Sequence, residues 1–202
     1  MNRREALQQA AWLMGGALSA PALMGILNGC TAKPEANWQP VFLTSAQAAL
    51  VGEVAEILIP RTDTPGAKDV GVPALIDRML EAVYPKQDQG RFLAGLDEFD
   101  SQARAQHADD FLHLERNVRI EHVRAVTAAA MAAERVHGGP GPFARPFILM
   151  TRELTLLGYF TSQAAATKVL QYNPAPGPFR GCVPLNEAGN GRTWATEQVQ
   201  RF

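Results

Sequence analysis

The chain has 202 residues, a formal net charge of −1 and 47% hydrophobic residues. That balance excludes a basic stripe able to follow a nucleic-acid backbone, and no polybasic run is present to hold anionic lipid. The length is enough for one domain with a real core.

At the N-terminus, Met1-Asn2-Arg3-Arg4-Glu5-Ala6-Leu7 precedes a weakly apolar stretch from Ala10 to Leu27, broken by Gly15-Gly16 and Pro21. Arg3 and Arg4 ahead of such a stretch read as a twin-arginine export signal, a receptor-read address that is too weakly apolar to be a membrane span. Ala6 and Gln8 depart from the usual pattern of that signal, which prefers a bulky apolar residue and a basic one. Leu27-Asn28-Gly29-Cys30 follows the pattern of a lipoprotein box, with a small residue before the cysteine that lets a peptidase approach. The expectation is that residues 1–29 are a lipoprotein-type signal peptide and that Cys30 is lipidated. Cleavage after Ala22 is the alternative, and it would leave Cys30 in the mature chain. A lipidated cysteine anchors through more than one acyl chain, since a single chain binds a bilayer only marginally. Residues 30–43, with Pro34 and Pro40, read as a tether, and residues 44–202 as the folded domain.

Thr44-Ser45-Ala46-Gln47 has capping-box spacing and opens a helix that carries Leu50, Val51, Val54, Ile57 and Leu58 until Pro60 stops it. Residues 60–73 form a turn-rich loop, in which Pro65-Gly66 suits the centre of a type II turn with glycine at positive φ. Pro73 suits the first turn of a helix that carries Leu75, Ile76, Met79, Leu80 and Val83 on one face. A third helix is predicted from Asp88 to His107, with Phe92, Leu96 and Phe99 inward. An alanine-rich fourth is predicted from about Asp109 to His137, where Gly138-Gly139-Pro140-Gly141-Pro142 ends it. A fifth begins near Pro146 and runs through Leu149, Leu154, Leu157 and Tyr159, and a short sixth covers Ser162 to Tyr172. The tail, residues 173–193, is rich in proline and glycine and is predicted to be irregular, held by its own domain or by a partner. No period-2 alternation is present. The fold class is therefore all-α: a single helical domain of about five to six helices, with one long irregular loop and a Pro/Gly-rich C-terminal segment.

The chemistry-bearing residues are few. Asp110 and His113 share a helix face in this reading, and Glu115 and His122 lie two turns apart. A di-iron bundle needs a Glu-x-x-His motif from each of two helices, so these four are read as solvated helix-face residues and no metal is assigned. There is no G-x-G-x-x-G after a strand, no G-x-S-x-G and no C-x-x-C-H. Neither catalytic nor cofactor-binding residues are assigned, and the chain reads as a subunit or scaffold. Of the two cysteines, Cys182 is left alone if Cys30 is acylated. It then forms an intersubunit disulfide or is a buried free thiol; without lipidation a Cys30–Cys182 bridge is the alternative.

Four stretches together resemble one family. They are the twin-arginine N-terminus with Cys30; Ile57-Leu58-Ile59-Pro60-Arg61-Thr62-Asp63-Thr64-Pro65-Gly66-Ala67 running on to Val70-Gly71-Val72-Pro73; Glu153-Leu154-Thr155-Leu156-Leu157-Gly158-Tyr159-Phe160-Thr161-Ser162; and the tail from Tyr172 to Leu185. In that order they resemble the gluconate 2-dehydrogenase subunit 3 family, the small or gamma subunit of membrane-associated flavin dehydrogenases. The resemblance implies a non-catalytic partner of a large FAD-dependent, GMC-type dehydrogenase subunit that oxidises sugars, sugar acids or polyols. It also implies that FAD is bound by the partner, that a third subunit carrying haem c often completes the complex, and that the small subunit carries the export signal for both. The location implied is periplasmic, at a membrane held through the N-terminal lipid. Candidate partner contacts are Pro65, Gly66, Tyr159, Phe160, Pro176 and Phe179, each of which also suits packing within its own domain. The alternative function is a lipid-anchored periplasmic binding or assembly protein with no enzyme partner.

Overall fold

The computed structural model describes residues 38–136, 145–172, 182–189 and 191–194, which belong to a compact unit beginning at Asn37. Among these residues the structure is helical, without a strand or sheet, so the all-α class holds. The elements in order are α1 (Ser45–Leu58), α2 (Val72–Ala82), α3 (Lys86–His107), a 3-10 turn (Phe111–His113), α4 (Arg116–Val136), α5 (Phe147–Phe160), a π turn (Ala165–Val169) and α6 (Leu185–Gly189). No helix among the described residues is long and apolar enough to cross a membrane.

Local chemistry explains where the elements start. Thr44 and Gln47 form the expected capping box: the Gln47 N–H donates to Thr44 Oγ1 at 3.2 Å and the Thr44 N–H to Gln47 Oε1 at 3.0 Å. Gly71, with φ 78°, takes the left-handed conformation at the N-cap of α2, and Pro73 lies in the first turn as expected. At the other end of α2, the Gln89 side-chain amide on α3 donates to the carbonyls of Leu80, Glu81 and Tyr84. Those orphan acceptors are thereby satisfied by a neighbouring helix.

α5 is the central helix, packed against α1, α2, α3 and α4. Its near-continuous apolar character follows from that position: Phe147, Ile148, Leu149, Met150 and Leu154 are all buried. The core also takes Val51 and Val54 from α1, Ile76 and Leu80 from α2, and Phe92, Leu96 and Phe99 from α3. Gly95 lets α3 and α5 approach closely, since a Cβ there would stand 2.6 Å from the Phe147 Cβ. Val83, grouped with the inward face of α2 by its spacing, is instead 63% exposed, because the helix ends at Ala82 and Val83 forms its C-cap.

Three boundaries differ from the predicted ones. α4 does not begin at Asp109. Ala108 turns into the left-handed region, Phe111 donates its N–H to Asp100 Oδ1 at 2.9 Å, and its ring is buried edge-on against Phe99. That capture leaves a 3-10 turn, and the helix restarts at Arg116. The predicted sixth helix over 162–172 closes earlier as the π turn, where the Leu170 N–H reaches back to Ala165 O at 2.8 Å. The predicted irregular tail contains α6 and is flanked by an isolated bridge of Gln171 with Trp194. Residues 173–181, with Pro176 and Phe179, lie outside the described residues, as do Arg3, Arg4 and Cys30.

Residues 38–43, read from the sequence as the end of the tether, are fixed to the helices. Leu43 is in the core and Trp38 and Phe42 pack on it. A fully buried carboxylate holds the backbone here: Asp77 on α2 accepts the N–H groups of Val41 at 2.7 Å, Phe42 at 3.1 Å and Leu43 at 2.8 Å.

Candidate functional site

The loop between α1 and α2 is irregular but not loose, because two carboxylates hold its backbone and a third holds the side chain of its Lys68. Glu56, near the end of α1, accepts the Arg61 N–H at 3.1 Å through Oε1 and the Lys68 N–H at 2.9 Å through Oε2. Asp69 accepts the Gly66 N–H at 2.9 Å and faces the Arg61 guanidinium at 3.4 Å. Glu53, largely buried, takes Lys68 Nζ at 2.6 Å and Arg119 Nη1 of α4 at 3.0 Å. Burial pushes the Glu53 carboxyl up, but the Lys68 hydrogen bond and the charges of Lys68, Arg119 and Arg116 outweigh it and hold the group below its ordinary value. The buried Ala67 closes the loop on α1, donating its N–H to Ile59 O at 2.9 Å.

Gly66 does not occupy the position expected of it. Its φ lies outside the left-handed region, so Pro65-Gly66 is not the centre of a type II turn. The glycine is required for room: a Cβ would sit 2.3 Å from Glu56 Oε1 and 2.7 Å from the Arg61 nitrogen. The backbone passes so close to the carboxylate that no side chain fits between them.

The structure brings four of the six candidate contact residues together. Tyr159, at the end of α5, donates its hydroxyl to the Pro65 carbonyl at 2.8 Å. Its ring is buried, so Tyr159 supports the loop from below, and the neighbouring Phe160 stands edge-on to it at 5.3 Å with 42% of its surface exposed. The result is a braced loop in which Pro65 is half-buried and Gly66 buried, with Phe160, next to the brace, the exposed member of the four. A pre-formed surface with an exposed aromatic has little ordering entropy to lose on association.

Cys182 is exposed, which sets aside the buried-thiol reading and leaves its sulfur accessible. Asp109, Asp110 and His113 cluster at the 3-10 turn, with Asp110 already paired to the Arg104 guanidinium. His122 is not on a solvated face as expected. It is buried among Phe99, Phe111 and His107, with Nε2 3.2 Å from the Phe99 carbonyl. Sequence reasoning also missed Asp77 and Glu53, whose partners come from distant segments.

These features define a small all-α domain whose carboxylate-stitched loop is braced by its central helix. The chain belongs to the gluconate 2-dehydrogenase subunit 3 family: the model of that family matches residues 45–177. The match takes in α1 to α5, the carboxylate-stitched loop and both Tyr159 and Phe160. Membership in a subunit 3 family of a multi-subunit dehydrogenase implies partner subunits. Comparison with curated proteins finds no match, and neither does comparison with solved structures.

Proposed function

We propose that the chain is the non-catalytic small subunit of a periplasmic FAD-dependent sugar, sugar-acid or polyol dehydrogenase. In this reading it escorts the large flavoprotein subunit through twin-arginine export, and Cys30 tethers the complex to the membrane by its lipid. FAD is held by the large, GMC-type partner, and a cytochrome c subunit with haem c is the third member. The observation that carries the reading is the family match over residues 45–177, downstream of Arg3-Arg4 and Cys30 in the same chain. The surface made by the Pro65 loop and Phe160 supports a docking role, since it is braced from within and apolar at its edge.

Purification of a tagged chain from native membranes tests the proposal. The expected result is co-purification of a large subunit with flavin absorbance. Replacement of Arg3 and Arg4 by lysine is expected to retain both proteins in the cytoplasm, and Cys30→Ala to release the complex from the membrane fraction. A chain that emerges from the membrane alone overturns the escort role and leaves the lipid-anchored binding protein.

A further inference from the structure

The geometry points to His122 as an acid-sensitive latch that holds α4 against the corner made by the end of α3 and the 3-10 turn. The ring is 2% exposed and boxed by the rings of Phe99 at 4.7 Å, His107 at 5.9 Å and Phe111 at 6.0 Å. Nε2 faces the Phe99 carbonyl, which can only accept, so the proton of the neutral ring sits on Nε2. Nδ1 is then a bare lone pair, buried with no hydrogen-bond partner. The neutral ring fits this box. A proton on Nδ1 creates a cation whose new N–H points at no acceptor, the kind of burial that drives a group back to water.

The surrounding charges do not rescue it. His107, on α3, opposes the protonation, and Asp100, also on α3, favours it. Asp100 is already committed, with Oδ1 to the Phe111 N–H and Oδ2 to Arg104. On the turn, Asp110 is paired with Arg104, and His113 faces Asp109 and Asp110. On α4 itself Arg119 is turned to Glu53 of α1. Burial is the largest influence and holds His122 below its ordinary value of 6.5, against the Phe99 hydrogen bond. With the folded value below the unfolded one, the closed corner keeps its full stability above 6.5. It loses stability as the pH falls below that point, until the folded value is passed.

α1 and α5 touch this corner, α1 through the 3-10 turn and α5 through Phe147 on Phe99, but they also pack on one another and on α2, so that core is expected to hold when the corner opens. Opening would expose the Phe99 and Phe111 rings. This inference is independent of the partner reading.

Hydrogen exchange on the full chain, corrected for intrinsic rates, at about pH 7.5 and about pH 5 tests it. The expected result is a loss of protection over residues 99–123 in acid, with protection of α1 unchanged. His122→Phe fills the box without a titratable group and is expected to make that protection independent of pH. If the variant does not fold, NMR titration of the wild-type histidines decides. A His122 midpoint well below the ordinary 6.5 supports the latch. A midpoint at or above 6.5, unchanged protection at about pH 5, or an equal loss over α1 and the corner overturns it.

Discussion

The Tyr159 hydroxyl donates to the Pro65 carbonyl at 2.8 Å, joining positions 94 residues apart in the chain. That one bond makes the end of α5 the floor of the α1–α2 loop. Tyr159→Phe keeps the ring and its edge contact with Phe160 and removes only the donor. A partly buried carbonyl left without this partner costs about 1–2 kcal/mol, which urea unfolding would register as a lower midpoint at constant slope. The same variant is expected to be cut faster by trypsin after Arg61, which is exposed on the loop, while cleavage within the helices is unchanged.

Gly66 and Glu56 form the second constraint on this loop. A methyl group at residue 66 meets both a carboxylate oxygen and the Arg61 backbone nitrogen, and the backbone cannot move as freely as a side-chain tip. Gly66→Ala is therefore expected to destabilise by about 1–3 kcal/mol, the usual cost of overpacking. Glu56→Ala removes one of the two clashing groups, along with the acceptor for the Arg61 and Lys68 N–H groups. The double variant should lose less than the sum of the single losses, and a thermal-unfolding double-mutant cycle measures the difference. Additive losses would show that the close approach is not the constraint.

The helices were legible because their signals are local. Thr44 with Gln47, and Pro73 in a first turn, state their roles locally, and the apolar spacing of Val51, Val54, Phe92, Leu96 and Phe99 identifies inward faces directly. What sequence did not disclose was every role set by a distant partner. Asp77 and Glu53 are charged residues on helices, a type that faces water by default; their burial depends on N–H groups of residues 41–43 and on Arg119. His122 was misplaced for the same reason, since its box is built by α3 and by a 3-10 turn that local propensity reads as helix. Pro65, Gly66, Tyr159 and Phe160 could be singled out from sequence, but only the fold shows that Tyr159 is a buried brace and Phe160 the exposed member.

Asp77 supplies a separate test of how the chain enters its domain. Its two oxygens satisfy three backbone N–H groups, and the residue has no exposed surface. Asp77→Ala strands those donors, at about 1–3 kcal/mol for each one that cannot reach water. The expected total is about 3 kcal/mol or more, since Leu43 is buried while Val41 is open to solvent. Asp77→Asn keeps one acceptor but turns an amide N–H₂ toward the same donors, so it should recover only part of the loss. Exchange of the Val41–Leu43 amides should accelerate in both variants, more in the alanine one; protection unchanged in both would exclude the carboxylate as the anchor.

Glu53 predicts how the protein responds to stronger acid, in a range that opens at 4.5 where that of His122 opens at 6.5. Its folded value lies below the ordinary 4.5, so the unfolded chain takes up the proton first as the pH drops. The stabilisation from Lys68 and Arg119 is thus fully present above 4.5 and is lost as the pH falls through the folded value. Glu53→Gln keeps the shape and removes the titration. The variant should be less stable than wild type at neutral pH, since Arg119 loses its carboxylate in a poorly hydrated position. The gap between the two should shrink steadily on acidification below about pH 4.5 as the wild-type carboxylate is neutralised. Denaturant unfolding of both proteins at several acid pH values measures that gap. A difference that stays constant from neutral pH into strong acid would mean that the Glu53 charge does not contribute to holding α1, the loop and α4 together.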